Sequence, residues 1–421
     1  MARFDREGGT TIDEQTIIER LKMEVVVRST SRSTALLPGF SATARTAIGR
    51  EPIYGSATGS SPELARRRAV MECVERYAQF GCYAPPVAVV DTYAALMPDA
   101  ISPLACGLYS AAQYASPDFG LAAFSEQEPL EWLDVVDLTT GAPRLLPVEF
   151  IYPRASLTRQ PLVAETSSGT AAHSEPTAAT VAALCELVER DSFMQFWYRQ
   201  PTTQTIPIRT IPQPDIRAAL QEMQAVGYVV TVCSLVYDVA LPCFLVLALK
   251  GDTFAYGLGC HPSRYHALHH AMLELAAGIS TLHEGPLVRQ IHGSLLDVRT
   301  PADHYHLYNG GPFHQVLRQV LSQVLRVGEA EASQTIEAQA TTDEQALAHV
   351  LDALAACRYR AYGCDITPAV VADYGTTVQR VLIPGLIPIH FGYQRWRLGC
   401  RRLTQPTATG RLATLLPHFM A

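Results

Sequence analysis

Lysine is almost missing from this chain of 421 residues: Lys22 and Lys250 are the only two, so nearly all positive charge is arginine. No Gly-x-x-x-x-Gly-Lys-[Ser/Thr] phosphate loop occurs, and a lysine-dependent mechanism has few candidates. Charge of either sign is sparse, at 17% of residues with a formal balance of −7. Basic residues gather only in short patches such as Arg66-Arg67-Arg68 and Arg395 to Arg402, which argues against a nucleic-acid partner. No run of about 18 apolar residues exists, so no membrane span is expected. The ten cysteines include no Cys-x-x-Cys pair and read as reduced, mostly buried thiols of a cytoplasmic protein. The opening MARFDREGGTTIDEQ is polar and acidic, unlike a targeting peptide. His283-Glu284 lacks a following histidine at zinc-protease spacing.

What is present is apolar: 48% hydrophobic residues, enough for a large core. Residues 1–45 are polar and poorly periodic and read as an N-terminal arm or partner-docking segment; 46–421 read as one catalytic domain. Ser61-Pro62 starts a helix running to about Gly81, with serine as N-cap and proline at the first helical position. WLDVVDL, the turn TTGAP and RLLPVEFIY read as a β-hairpin over 132–152. A second long helix spans about 176–198, and further helices lie at 215–226, 264–279 and 343–356. YVVTVCSLV, CFLVLALK, FAYGLG, YRAYGCDI and VQRVLI read as strands. Residues 285–345 are polar and read as a variable insertion. Irregular alternation of helices and strands predicts a mixed α/β protein of α+β layers rather than a doubly wound sheet.

CELVERDSF, residues 185–193, is nearly repeated by MECVERYAQF at 71–80. A shift of 114 residues superposes ten identities in 22 positions. Gly55, Ala57, Ser60, Pro62, Ala65, Ala69, Glu72, Val74, Glu75 and Arg76 fall on Gly169, Ala171, Ser174, Pro176, Ala179, Ala183, Glu186, Val188, Glu189 and Arg190. The two units therefore predict a pseudo-symmetric helix pair. Helical spacing brings Ala65, Ala69, Glu72 and Arg76 near one face, and likewise Ala179, Ala183, Glu186 and Arg190; the alanines leave room for a bulky group near the backbone. Four carboxylates on facing helices repel unless cations sit among them, and Mg²⁺ suits hard oxygen ligands that bridge to phosphate. Arg76 and Arg190 then hold phosphate oxygens or orient the glutamates. Gly/Ser loops entering the helices offer N–H groups to anions. The plainer alternative is two solvated helix faces with i,i+4 ion pairs.

At these residues the sequence resembles the YcaO-domain family, whose ATP site is built from glutamates. TSSGTAAHSEPTAATVAALCELVERD resembles the family's Ser-Asn-Gly-x-Ala-x-Gly segment and its Glu-x-x-Glu-Arg-Asp helix. GCHPSRYHALHHAMLELAAG resembles its third helix, and IPGLIPIHFGYQRWRLGCRRL its Pro-Gly-Leu-x-Pro-x-His segment. The four motifs cover roughly 50–400. The ending LLPHFMA resembles the proline-rich tail of azoline-forming cyclodehydratases. The resemblance implies a YcaO-like fold around an ATP site, with Glu72, Glu75, Glu186, Glu189 and Glu274 as Mg²⁺ ligands. It implies Arg76, Ser174, Arg190 and His270 as ATP contacts. Glu189 and the carboxylate of Ala421, on a tail reaching the active site, take the catalytic roles. The implied reaction closes Cys, Ser or Thr of a ribosomally made precursor peptide into a thiazoline or oxazoline. The side chain attacks the preceding amide, ATP phosphorylates the amide oxygen, and phosphate leaves. Implied partners are the precursor, a separate leader-peptide-binding protein, a flavin dehydrogenase in the same complex, and a second copy in a homodimer. The alternatives are thioamide or amidine formation and a non-catalytic scaffold.

The sequence departs from the family at Ser168 and Ser174, in asparagine positions, at His270, in an arginine position, and at Ala277, where glutamine is common. His266, His270 and Glu274 also have i, i+4, i+8 spacing, which a zinc site or an ordinary histidine-rich helix shares. Cys185 reads as a core thiol and His390 as a structural histidine.

Overall fold

The computed structural model describes residues 12–29, 39–283, 294–310, 312–327, 342–406 and 412–421. Three antiparallel strands, β1 (Glu24–Ser29), β2 (Phe40–Ile48) and β3 (Glu51–Gly59), form the first sheet in that order. Ahead of them α1 (Glu14–Arg20) is capped by Asp13, which accepts the Thr16 N–H, and it buries Ile17. The described part of the expected N-terminal arm is thus integral to this layer. Its apolar residues Ile17, Leu21 and Met23 are spaced too irregularly to show a period, yet all are buried.

The helix α2 (Pro62–Phe80) starts as expected, with Ser61 Oγ accepting the Leu64 N–H at 3.2 Å. Strands β4 (Val89–Thr92), β5 (Pro129–Asp137), β6 (Pro143–Pro147) and β7 (Thr170–His173) belong to a second sheet. β5 and β6 are the expected hairpin; Asp137 Oδ1 accepts the N–H groups of Thr139 and Thr140 to shape its turn. From β7 the chain enters the almost wholly buried α3 (Pro176–Arg199). Next come β8 (Thr203–Ile206), α4 (Pro214–Ala225), β9 (Val229–Ser234), β10 (Cys243–Lys250) and β11 (Thr253–Cys260), then α5 (Arg264–His283).

Segments of the expected insertion fold as α6 (Pro301–Tyr308), α7 (Pro312–Val324) and β12 (Leu325–Val327); 285–293, 311 and 328–341 lie outside the described residues. β12 pairs parallel with β8, so this region completes the third sheet, ordered β11-β10-β9-β8-β12. After α8 (Asp343–Ala356), β13 (Tyr362–Asp365) and β14 (Thr377–Leu382) return to the second sheet, giving β4-β5-β13-β14-β7 with β6 on β5. The layers are mixed α/β, as the sequence predicts. Strands β3, β7 and β11 each end a sheet, and each leads directly into a helix. An edge strand keeps one row of N–H groups unpaired, and those rows build the site.

Candidate functional site

Three strand–helix units, not two, surround the site. A shift of 202 residues places Tyr54, Gly55, Ser61, Ala65, Ala69 and Glu72 on Tyr256, Gly257, Ser263, Ala267, Ala271 and Glu274. The packing repeats with the sequence. A Cβ on Gly55 would meet Ala69 O at 2.2 Å, and one on Gly257 would meet Ala271 O at 1.9 Å. Ala65, Ala69, Ala267 and Ala271 are fully buried. The alanine stripes therefore admit the strand backbone, not a ligand, which corrects the expectation drawn from helical spacing. The helices also close a ring: α2 leans on β7, α3 on β11 and α5 on β3.

Each first glutamate takes an N–H from the strand of its own unit or, for Glu186, from the residue just ahead of that strand. Ser56 N–H donates to Glu72 Oε2 at 2.9 Å, Gly169 N–H to Glu186 Oε2 at 3.0 Å, and Leu258 N–H to Glu274 Oε2 at 2.9 Å. Each second glutamate takes one from the next unit: Glu75 from Ala172 and Glu189 from Cys260. In the sequence register of the third unit Ala277 stands where the second glutamate would be. The three units thus supply five carboxylates, the third contributing one.

Two arginines hold the cluster together. Arg76 pairs with Glu72 at 2.5 Å and donates to Tyr54 O at 2.8 Å. Arg190 pairs with Glu186 at 3.3 Å and contacts Glu189. Burial raises the carboxyl pKa of Glu72, Glu75 and Glu189, the last to about 8. Like charge adds to burial: Glu186 and Glu274 act on Glu72 and on Glu189, while Glu186 and Glu72 act on Glu75. Although burial disfavours its charge, Glu189 and Glu186 hold the Arg190 guanidinium firmly protonated.

The remaining expected residues fall as follows. His270 is exposed, with Nδ1 donating to Leu258 O at 3.1 Å, so it shares that strand residue with Glu274. Ser174 Oγ lies 3.2 Å from His173 Nδ1 and does not cap α3, whose N-cap is Glu175. Among the described residues no three His, Cys, Asp or Glu side chains form a ready metal cage, and the His266–His270–Glu274 spacing makes no zinc site. Cys185 and His390 are buried, and His390 Nε2 lies 3.2 Å from the Tyr198 hydroxyl. Residues 417–420 thread into the core: Pro417 O accepts from Tyr308 at 2.6 Å, and Phe419 is fully buried. Ala421 then reaches Tyr256, its N–H donating to the hydroxyl at 2.7 Å.

Several supporting residues escape reading from sequence. Glu165 accepts from two fully buried arginines, Arg380 at 3.2 Å and Arg397 at 2.8 Å, and Arg380 also braces Ser168 O. Asp191 accepts the Ile387 N–H at 2.8 Å and pairs with Arg402 at 2.7 Å, tying α3 to the Pro-Gly-Leu segment. The third unit had a legible signal, the matching Tyr-Gly at 54 and 256.

Comparison with known proteins bears on the family and the fold. Residues 56–387 match the family model described as YcaO cyclodehydratase, ATP- and Mg2+-binding. A solved heterocyclase in complex with substrate and cofactor superposes with a TM-score of 0.72 at 19% identity, over 90% of this chain and 53% of that one. The YcaO from Methanopyrus kandleri bound with AMPPCP and Mg2+ gives a TM-score of 0.60 at 17% identity, over 89% of this chain and 88% of that one. An uncharacterized protein in the tfuA 3′ region of Rhizobium leguminosarum bv. trifolii is 23% identical over 286 residues, 65% of this chain and 64% of the relative. The chain thus spans about two thirds of that relative and about half of the heterocyclase. At such identities the structural likeness speaks for the fold, while the family match runs from β3 to the Pro-Gly-Leu segment through all three units. The chain belongs to the YcaO family of ATP- and Mg2+-binding cyclodehydratases.

Proposed function

We propose that this protein closes Cys, Ser or Thr residues of a ribosomally made precursor peptide into thiazolines or oxazolines, consuming ATP. The observation that carries this reading is the ring of five carboxylates with residues 417–421 threaded to its side. Its donor set fits hard cations: all oxygen, held in place by backbone N–H groups, with the carboxyl groups of Glu72, Glu75 and Glu189 raised in pKa by burial and by neighbouring like charge. In this reading Glu72, Glu75, Glu186, Glu189 and Glu274 hold Mg2+, which when bound neutralises phosphate charge and activates the phosphoryl group. Arg76, Arg190, Ser174 and His270 orient the nucleotide. In the 421-residue chain the Ala421 carboxylate would orient the attacking side chain or accept its proton.

Little covalent work falls to the protein; its part is positioning and charge stabilisation. The precursor, a separate leader-binding protein, a flavin dehydrogenase that oxidises the rings, and a second copy of the chain are the proposed partners. Purified protein, ATP, Mg2+, a Cys/Ser/Thr-rich precursor and the leader-binding protein should give a product lighter by one water per ring. With sulfide added to the same mixture, ATP consumption with exchange of a backbone oxygen for sulfur, the oxygen leaving as phosphate, would instead establish the thioamide reading. Neither change in the complete mixture would leave the scaffold reading.

A further inference from the structure

The tail is gripped through its carbonyl groups. Trp197 Nε1 donates to Leu416 O at 3.0 Å, Tyr308 to Pro417 O, and His304 Nδ1 to His418 O at 2.9 Å. Phe419 adds an aromatic anchor, with ring centroids 4.9 Å from Phe193, 5.4 Å from Trp197 and 5.2 Å from Tyr256. These contacts fix residues 416–419 but stop short of residue 421, which is exposed.

Tyr256 supplies the missing hold. It lies on β11 two residues before Leu258, whose N–H fixes Glu274, and its hydroxyl is within electrostatic reach of Glu274 and Arg190. Burial keeps the phenol protonated. Having accepted the Ala421 N–H, it retains its own proton for donation toward the acidic side. The repeat does not require this arrangement, since the counterpart Tyr54 sits exposed on the first sheet beneath Arg45.

We propose that Tyr256 is a positioning residue that locks residue 421 against the carboxylate ring and so sets the rate of the step the tail assists. This rests on the cyclodehydratase reading above. Tyr256→Phe retains the ring contact with Phe419 and removes only the hydroxyl. Two readouts apply: steady-state ring formation, and the rate at which carboxypeptidase trims Ala421 and Met420 in the absence of precursor. Loss of one hydrogen bond should slow ring formation and speed trimming, each about fivefold or more, while KM for ATP stays within about twofold. Unchanged trimming overturns the proposal, as does faster trimming with unaltered ring formation. A parallel rise in KM for ATP also overturns it, because that marks general collapse of the site. If the wild-type protein forms no rings but the variant is trimmed faster, Tyr256 keeps its hold on the tail and only the cyclodehydratase reading falls.

Discussion

Glu186 and Glu189 share the guanidinium of Arg190, and the flat, forked shape of that group is what lets one cation serve both. Arg190→Lys, which keeps the charge but not the fork, should raise KM for ATP about tenfold or more with little change in melting temperature. Unaltered ATP kinetics would return Arg190 to a structural role. The histidines of the tail clamp give a second residue-level prediction. Burial pushes His304 down to about 4 and also depresses His390 and His418. The folded state thus holds neutral imidazoles, whereas the unfolded chain takes up protons below about 6.5. Stability should be full above that pH and fall between about 6.5 and 4, by up to about 1.4 kcal/mol per pH unit for each histidine. His304→Asn should flatten the slope in urea titrations at stepped pH. An unchanged slope would show that the clamp does not titrate in this window. Glu72, Glu75, Glu186 and Glu189 were legible as a set because two units repeat them, and Glu274 only through the family resemblance. Asp191 and Glu165 were not, since each acts through arginines about 210 or more residues away that no local spacing reveals.

Glycine on the strand and alanine on the helix set the distance between β11 and α5. Gly257→Ala would drive a methyl group into Ala271 O and Leu275 N, both backbone atoms that cannot yield without shifting the helix. The expected cost is about 2–4 kcal/mol in denaturant unfolding, with loss of ATP binding. Gly141→Ala meets nothing within 4 Å and, at a φ of +72°, should cost only about 1 kcal/mol through backbone strain. Equal costs would contradict the close approach. Helix starts, the hairpin and most strands were readable from caps, prolines and apolar runs. The third unit was harder, because Ala277 and Gly278 replace the second glutamate and the arginine that made the first two units alike. The N–H rows that seat the carboxylates come from sheet-edge positions, which depend on long-range strand order and leave no local pattern.

Three sheet edges converge on one carboxylate ring, and the chain then threads its last residues through the core to the same place. Because Phe419 is fully buried among aromatic rings, deleting His418 to Ala421 should cost about 3–5 kcal/mol of stability as well as activity. A C-terminal extension is the cleaner perturbation: it should cut ring formation strongly while leaving nucleotide affinity within about twofold, by mass spectrometry and calorimetry. Ring formation at the untagged rate would remove the tail from the mechanism. That the carboxylate ring is a nucleotide–magnesium site can be tested without precursor or partner. Titrating a non-hydrolysable ATP analogue with Mg2+ into wild-type protein and into Glu189→Gln should show saturable binding that weakens about a hundredfold in the variant, whose fold by circular dichroism is unchanged. Equal affinity in the two proteins would place the nucleotide somewhere other than among these carboxylates.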